Sequence, residues 1–282
     1  MYHLLPNLSA VKRAVRAILR YRNPTYAHLI LATARQPRYT PGTFAFPFGR
    51  MHYVDGLSLC GNYFELFIQR EYDFICSHQS PLVLDCGANI GLSMVAFRQR
   101  YPQSRIVGFE ADPAIATTLR TNVENLNLLH GVEVIQMAVW NQQGTVSFVA
   151  DGADAGRIGE EQPAAQQISA VRLSDYITET IDLLKLDIEG AEYVVLQDLC
   201  DTGKVDKIQR IICEFHGWSP VAKKTGSLLE ALSQVGMVCT FTYARSAPDL
   251  PGTLEPTPFP SVRDGKYLLR MYAWRPKEQS NL

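Results

Sequence analysis

Two pairs of polar residues in the second half of the chain could carry proton-transfer chemistry. Asp187 and Glu189 follow the apolar run "LLKL", and Glu214 and His216 close the run "IICEFH". Residues two apart on a strand share a face, so each pair could act as a unit. Histidine is the side chain best suited to accept a proton near neutral pH. His216 is therefore the candidate general base.

These residues also have other interpretations. Asp187 could orient a substrate hydroxyl, pair with Lys185 or cap the start of the following helix. Glu189 suits the first turn of that helix, where the helix dipole favours an acid. His216 could be a strand-end histidine bonded to the backbone. The Asp-Glu-Glu-His cluster also suits Mg²⁺, which prefers oxygen ligands, and the sequence leaves the need for a divalent metal open.

A glycine-rich turn in "VLDCGANIGLSMVAF", at 83–97, is the second feature with chemical meaning. An apolar strand ends at Asp85, and a helix begins after Gly87, Asn89 and Gly91. Glycines let the backbone approach a ligand closely, and a helix start presents free N–H groups to it. The turn therefore predicts a ligand-binding site at the end of this strand.

Two acids indicate which ligand binds there. Glu110 ends the next strand, 25 residues after Asp85, where a carboxylate can accept both hydroxyls of a ribose. Nicotinamide, flavin and S-adenosylmethionine sites share this feature. Asp85 stands before the first glycine, where it would repel a pyrophosphate but suit the ammonium and sulfonium groups of S-adenosylmethionine. The sequence favours S-adenosylmethionine as the cofactor. The alternatives are that the protein is a nicotinamide-dependent oxidoreductase or a non-catalytic binding protein.

A strand–helix alternation from residue 81 onward must position these residues. Helices between consecutive strands imply parallel pairing, and hence an α/β fold with a doubly wound, Rossmann-like sheet. Ligands of such sheets bind beyond the carboxyl ends of the strands. The predicted strands are 82–85, 105–110, 132–136, 181–186, 207–215, 237–243 and 266–274, and the predicted helices between them are 90–100, 113–128, 191–200 and 225–235.

The N-terminal segment differs from the rest in pattern and charge. Residues 8–33 predict two helices that separate at Pro24, and residues 42–60, with "VDG", predict a hairpin. The apolar residues of the first helix share one face, largely opposite the basic ones: Val11, Val15, Ile18 and Leu19. The first 54 residues hold eight of the 27 basic residues and none of the 28 acidic ones. This segment could face an anion, a membrane surface or the acidic body of its own protein, or form a solvated basic helix face.

Composition limits the choice of cellular compartment and of binding partners. The six cysteines form no C-x-x-C pair, which indicates a reduced, cytoplasmic location. No apolar run approaches the roughly 18 residues of a membrane span, so no transmembrane segment is expected. The acidic body and the lack of an N-P-P-Y-like motif argue against a nucleic-acid substrate. A homo-oligomer is compatible with the sequence.

Four stretches, the glycine-rich turn among them, follow one another along the chain: "VLDCGANIGLSMVAF", "VGFEADP", "VIQMAVWNQQGTVSF" and "IDLLKLDIEGAEYVVL". Together, over about residues 60–220, they resemble the FkbM-type family of S-adenosylmethionine-dependent methyltransferases. The resemblance implies a seven-stranded sheet, parallel except for its last strand, in a domain over 61–282 that follows an N-terminal extension over 1–60. It also implies O-methylation of a hydroxyl on a sugar or secondary metabolite, with a small-molecule or glycan acceptor. No motif covers 1–55 or 245–265, where acceptor choice is expected to reside.

The resemblance further implies roles for individual residues. Its cofactor-binding residues would be Tyr72, Asp85, Gly87, Asn89, Gly91, Glu110, Ala138 and Val139. Those of the glycine-rich turn would hold the methionine part, and Glu110 would bind the ribose. Ala138 and Val139 would border the adenine, because a backbone N–H and an apolar wall suit a flat base. Tyr72, in "QREYDF", matches a lead-in motif that closes over the cofactor, although it could also be a core aromatic.

Overall fold

The computed structural model describes residues 8–153, 156–158, 165–218, 222–243 and 266–276. The helices are α1 (Leu8–Tyr21), α2 (Pro24–Thr33), α3 (Gly56–Tyr63), α4 (Leu92–Arg100), α5 (Pro113–Asn125), α6 (Leu173–Tyr176), α7 (Glu192–Asp201) and α8 (Ala222–Gln234). The strands are β1 (Gly42–Phe46), β2 (Gly49–Tyr53), β3 (Leu82–Cys86), β4 (Arg105–Phe109), β5 (Val132–Ile135), β6 (Ala138–Trp140), β7 (Gly144–Val149), β8 (Arg157–Ile158), β9 (Gln166–Arg172), β10 (Leu183–Leu186), β11 (Arg210–Trp218), β12 (Val238–Tyr243) and β13 (Lys266–Trp274).

Seven of the strands form one sheet, in the order β12-β13-β11-β10-β3-β4-β5. β10 runs parallel to both β3 and β11, and β4 runs parallel to β5. The last strand, β13, is antiparallel to β11 and β12. The predicted α/β fold, with a mainly parallel seven-stranded sheet, is therefore confirmed. Strand order reverses between β3 and β10, which is where ligands bind in open α/β sheets.

The two central strands of this region are buried throughout. All five residues of β3 and all four of β10 are buried, as expected for parallel strands covered on both faces. Each strand nevertheless contains one charged residue. Lys185 lies directly opposite Asp85 in the register of the two strands. The sheet thus places a buried cation beside a buried anion at the point where strand order reverses.

The described residues cluster into two units. The first contains those within 1–80, 88–136 and 150–156, and the second those within 81–87, 137–149 and 157–282. The boundary expected at residue 60 falls inside α3, and a division of the chain at that point stays a prediction. The segment 245–265, where acceptor choice is also expected to reside, lies outside the described residues.

In the first unit, one side-chain amide of α5 joins the N-terminal hairpin, formed by β1 and β2, to the glycine-rich turn. Asn122 of α5 accepts a hydrogen bond from the backbone N–H of His52 at 2.7 Å. It donates to the carbonyls of His52 and Ile90, both at 2.9 Å. Asn122 is 1% exposed, so these three bonds satisfy an amide in the core. The hairpin is therefore joined to the residue that precedes the helix-starting Gly91.

The hairpin itself is shorter than the sequence predicts. β1 pairs with β2 so that Phe46 lies opposite Gly49, and the turn falls between them instead of at "VDG". Asp55 of that tripeptide caps α3, since its carboxylate accepts from the backbone N–H of Ser58 at 2.8 Å. An Asp before a glycine suits a hairpin turn and a helix start alike, and here the second use prevails.

The second unit adds a smaller sheet to the large one. Four strands pair in the order β6-β9-β7-β8, with β6 parallel to β9 and β7 antiparallel to both of its neighbours. Within the ranges described above, no helix has the length and apolar character needed to cross a bilayer.

Candidate active site

The turn between β10 and α7 has an unusual backbone. Glu189 has φ 55° and Gly190 has φ 106°, and the left-handed region is unfavourable for a glutamate unless its surroundings hold it there. Glu192, which is fully buried, provides that support. Its Oε1 accepts from the backbone N–H groups of Ile188 and Gly190, both at 3.1 Å, and its Oε2 accepts from Gly190 at 3.0 Å. One carboxylate thus shapes the whole turn.

The same carboxylate orients His216, near the end of β11. Nδ1 of His216 lies 3.0 Å from Glu192 Oε1. A carboxylate only accepts hydrogen bonds, so Nδ1 carries a proton and Nε2 is the nitrogen left for chemistry. Nε2 lies 3.4 Å from Glu189, 3.8 Å from Glu214 and 3.9 Å from Asp187. The four residues predicted to be catalytic therefore lie together, and their roles stay predictions.

The neighbouring carboxylates set the charge of His216. Burial lowers the pKa of the imidazole, but the carboxylates of Glu192, Glu189 and Asp187 outweigh burial and raise that pKa well above its usual value. The ring is therefore cationic at neutral pH in the protein as described. The sequence predicted a histidine poised near neutral pH. The difference arises because nearby carboxylates stabilise the protonated form.

A buried lysine on β10 forms ion pairs with two of the acids, Asp85 and Asp187. Lys185 is 2% exposed, and its Nζ lies 3.3 Å from Asp85 Oδ1 and 3.6 Å from Asp187 Oδ2. It also donates to the carbonyls of Gly87 at 2.5 Å and Cys86 at 3.3 Å. Burial lowers the pKa of Lys185, but Asp85 and Asp187 raise it by more, so the ammonium stays charged.

A buried arginine forms an ion pair with Glu214. Arg270 of β13 is 1% exposed, lies directly across the strand pair from Glu214 and forms a charge-assisted hydrogen bond with its Oε2. Glu214 therefore presents its other oxygen, Oε1, towards His216. Arg270 was not predicted from the sequence, although a charge inside the apolar strand "KYLLRMYAW" predicts a buried partner. Glu192 was not predicted either; its signal is a third acid in "DIEGAE", three residues after Glu189.

The cluster has the composition of a divalent-metal site as well. Asp187, Glu214 and His216 each offer one ligand atom, and these atoms lie within 4.8 Å of one another. Two carboxylate oxygens and an imidazole nitrogen fit a divalent cation. The same three residues could therefore hold a metal or act directly as acid–base groups.

The glycine-rich turn begins in the same unit. Gly87 has φ 80°, and a Cβ at this position would lie 1.8 Å from the carbonyl oxygen of Asp187. Only glycine fits, because the end of β10 approaches the turn so closely. Asp85 was expected to meet the cationic groups of the cofactor. Its carboxylate is fully buried beside Lys185, and a direct contact with the cofactor stays a prediction.

In the first unit, Glu110 organises the remainder of the turn. Its Oε2 accepts from the backbone N–H of Asn89 at 2.8 Å, and its Oε1 accepts from Asp112 at 2.9 Å. Asn89 and Gly91 have φ values of 49° and 90°, so the turn depends on residues that tolerate the left-handed region. A carboxylate is the kind of acceptor that ribose hydroxyls require, so Glu110 suits the predicted cofactor by its chemistry. A direct contact of Glu110 with the ribose stays a prediction.

The remaining predicted cofactor residues are apolar or aromatic and buried. Tyr72 is 8% exposed, which suits its interpretation as a core aromatic. Ala138 and Val139 begin β6, where they pair with Ala170 and Val171 of β9. Both are apolar, as the predicted border of an adenine requires. Contacts of all three residues with the cofactor stay predictions.

Comparison with known proteins supplies the family. A sequence model described as the methyltransferase FkbM domain matches residues 85–239. Methyltransferase 1 of Beauveria bassiana is 28% identical over 59% of this chain and 77% of its own length. Methyltransferase sdnD of Sordaria araneosa is 27% identical over 66% of this chain and 85% of its own length. The 2-O-methyltransferase NoeI of Sinorhizobium fredii is 25% identical over 46% and 62%, respectively.

A solved structure, the methyltransferase FkbM from Methylobacillus flagellatus, aligns with a TM-score of 0.49 at 13% identity, over 95% of this chain and 59% of that chain. This chain thus spans less than two thirds of that protein. The family match, in contrast, spans more than half of this chain and runs from Asp85 through the acid–histidine cluster. The chain belongs to the FkbM family of S-adenosylmethionine-dependent methyltransferases.

Proposed function

We propose that this methyltransferase transfers the methyl group to a hydroxyl oxygen of a sugar or secondary metabolite. The observation that supports this most is the orientation of His216, whose Nδ1 is fixed by Glu192 while Nε2 points towards three carboxylates. An alcohol is a poor nucleophile until its proton is being removed, and Nε2 is the atom suited to remove it. One relative of this chain is named a 2-O-methyltransferase, which agrees with an oxygen acceptor.

S-adenosylmethionine supplies an electrophilic methyl group bonded to its sulfonium. The protein must then align the acceptor oxygen and take its proton. Glu192 fixes the tautomer of His216, so that Nε2 receives the proton. Asp187 and Glu189 can accept hydrogen bonds from the hydroxyl that reacts or from its neighbours. A set of several acceptor oxygens suits a polyhydroxylated molecule better than one with a single hydroxyl.

The proton that Nε2 carries at neutral pH must leave before His216 can act as a base. We propose that it passes to solvent and that the acceptor hydroxyl then takes its place against Nε2. The ring ends each transfer protonated again, because the hydroxyl proton moves to Nε2 as the oxygen–methyl bond forms. Lys185 and Arg270 pair with Asp187 and Glu214 and hold these two acids in position during both states.

The proposed function is tested with a methyl-labelled cofactor. The full chain is incubated with labelled S-adenosylmethionine and a panel of monosaccharides, glycosides, hydroxylated natural products and matched amines. Label is expected on a hydroxyl oxygen of one polyhydroxylated class, located by tandem mass spectrometry. The acidic body of the chain supports such an acceptor over a nucleic acid. Methylation confined to nitrogen or carbon atoms would contradict the proposal.

Replacement of Glu110 by alanine is expected to weaken S-adenosylmethionine binding. The variant loses the carboxylate proposed to accept the ribose hydroxyls and also the anchor of the Asn89 N–H. Loss of charge-assisted hydrogen bonds costs about 1.5–3 kcal/mol, which calorimetry would resolve. Glu133→Ala, an exposed acid on β5, is the matched control and should bind normally. An unchanged dissociation constant in folded Glu110→Ala would remove Glu110 from the cofactor site.

A further inference from the structure

The first helix, α1, has three faces of different chemistry. The face that packs against α2 consists of small residues, since Ala10, Ala14 and Ala17 are 0%, 4% and 1% exposed. Their spacing of three to four residues places them on one side of the helix. Because their side chains are short, α1 is held against the unit without burying any of its large apolar residues.

The second face is an exposed apolar stripe. Five aliphatic residues recur at helical spacing on one side of α1, and all are exposed, at 71%, 37%, 48%, 51% and 76%: Leu8, Val11, Val15, Ile18 and Leu19. Scattered exposed apolar residues need no explanation, but a continuous row along a helix indicates a surface that another partner covers. This apolar stripe follows α1 for its full length of about 21 Å.

The third face is basic and borders the apolar stripe. Its four residues are all exposed: Lys12, Arg13, Arg16 and Arg20. No acidic residue occurs in α1 or anywhere in the first 54 residues, so no neighbour in the sequence offsets this charge. A helix with an aliphatic stripe beside a row of lysine and arginine is typical of segments that lie in the plane of a membrane surface.

We propose that α1 docks onto an anionic lipid surface, with the apolar stripe inserted among the acyl chains and the basic face on the headgroups. Charge complementarity selects this occupant. A second copy of α1 would bring four positive charges against four others, which opposes pairing of the stripes. A nucleic acid would match the basic face but would leave the aliphatic stripe in water. An anionic membrane satisfies both faces at once.

The energetics agree with a reversible attachment. Each lysine or arginine near an anionic membrane strengthens binding about fivefold, and the apolar stripe adds the burial of several aliphatic side chains. Both contributions require the same orientation of α1, in which the alanine face stays on its own unit. Attachment would therefore hold the enzyme at the membrane without unfolding the packing of α1 against α2.

The proposal is tested by flotation of the full chain with vesicles of phosphatidylcholine alone or mixed with phosphatidylglycerol. Binding is expected to the anionic vesicles, with a decline as salt is raised. Lys12→Gln with Arg16→Gln should weaken binding roughly 30-fold, and Ile18→Asp at least about tenfold. The matched controls are Arg100→Gln with Lys224→Gln, and Leu129→Asp, which lie outside α1 and should bind as the unmodified chain does.

Folding of every variant is checked by circular dichroism and by calorimetric binding of S-adenosylmethionine, since no residue of α1 is among the predicted cofactor-binding residues. Several outcomes would overturn the proposal. They are absence of vesicle binding by the unmodified chain, equal binding to neutral vesicles, and equal loss in the control variants. Binding to an oligonucleotide that Ile18→Asp leaves intact, without vesicle binding, would assign the basic face to nucleic acid. Dissociation of an oligomer by Ile18→Asp, without vesicle binding, would assign the apolar stripe to a second copy.

Discussion

Replacement of His216 by alanine is expected to lower the rate of methyl transfer about 10²–10⁴-fold and to leave the affinity for S-adenosylmethionine nearly unchanged. The physical reason is the position of Nε2, which faces three carboxylates while Glu192 holds Nδ1. The other described side-chain cations of this cluster, Lys185 and Arg270, ordinarily lose a proton only at a far higher pH than an imidazole does. Single-turnover transfer to the identified acceptor measures the effect.

The dependence of rate and stability on pH gives a second test of the role of His216. Because the carboxylates raise the pKa of His216, the wild-type rate should rise with pH through a midpoint well above 6.5, the usual value. The stabilisation that comes from the imidazolium is complete below the unfolded-state pKa and is lost as pH rises through the folded-state pKa. His216→Gln should therefore destabilise the protein more at about pH 6 than at about pH 9.

Comparison variants separate the roles within the cluster. Glu192→Gln removes one negative charge beside the ring, so it should move the midpoint of the pH–rate profile downward, whereas a purely structural role would change stability alone. A larger rate loss in Asp187→Asn than in His216→Ala would make Asp187 the base. A wild-type rate that EDTA abolishes and Mg²⁺ restores would assign His216 to metal binding. A normal rate per folded molecule of His216→Ala would contradict the proposal that His216 is the general base.

The large sheet could be predicted from sequence because its signals are local. Central strands of a parallel sheet read as continuous apolar runs, as "LVLDC" and "LLKL" do, and each is followed by a helix with its own start signal. The hairpin was harder, because Asp55 suits two kinds of local structure equally well. The antiparallel last strand came from the resemblance to a family, since periodicity does not specify pairing partners, and the order of the strands was not predicted.

The alternative of a nicotinamide-dependent oxidoreductase is wrong, but the charge of Asp85 is not a sufficient reason against it. From sequence alone, that charge is expected to repel a pyrophosphate. The register of β3 and β10 instead places Lys185 directly opposite Asp85, where the two charges offset each other. A sequence does not reveal register, so the pairing could not be predicted from the position of Asp85. The family match over residues 85–239 decides the enzyme class.

The chemistry of His216 likewise depended on contacts that sequence spacing does not show. Its candidacy followed from its residue type and strand-end position, which place it with Glu214. Its charge depends on Glu192, which lies 24 residues away in the sequence and directly follows the left-handed turn at Glu189 and Gly190. Long-range electrostatics of this kind arise from the fold as a whole. The sequence therefore predicted that His216 lies with Glu214, Asp187 and Glu189, but neither its contact with Glu192 nor the pKa that results.

Replacement of Lys185 by methionine is expected to destabilise the fold by about 3–5 kcal/mol, the cost of removing one partner from a buried ion pair. Methionine fills a similar volume, but it leaves the fully buried carboxylate of Asp85 without its cationic partner and removes the donor to the carbonyl of Gly87. Denaturant unfolding measures the loss. Lys224→Met, at an exposed position on α8, is the matched control and should change stability little.

The cause can be isolated because a double-mutant cycle removes both charges. Asp85→Asn in the Lys185→Met background should recover part of the stability, with a coupling energy of about 1–3 kcal/mol between the two positions. The destabilisation by Lys185→Met alone should also shrink as pH falls, because protonation of Asp85 neutralises the buried charge in the variant. If the two substitutions are additive and the loss is independent of pH, Lys185 acts through packing alone. The register of β3 and β10 would then place the two charges together without electrostatic consequence.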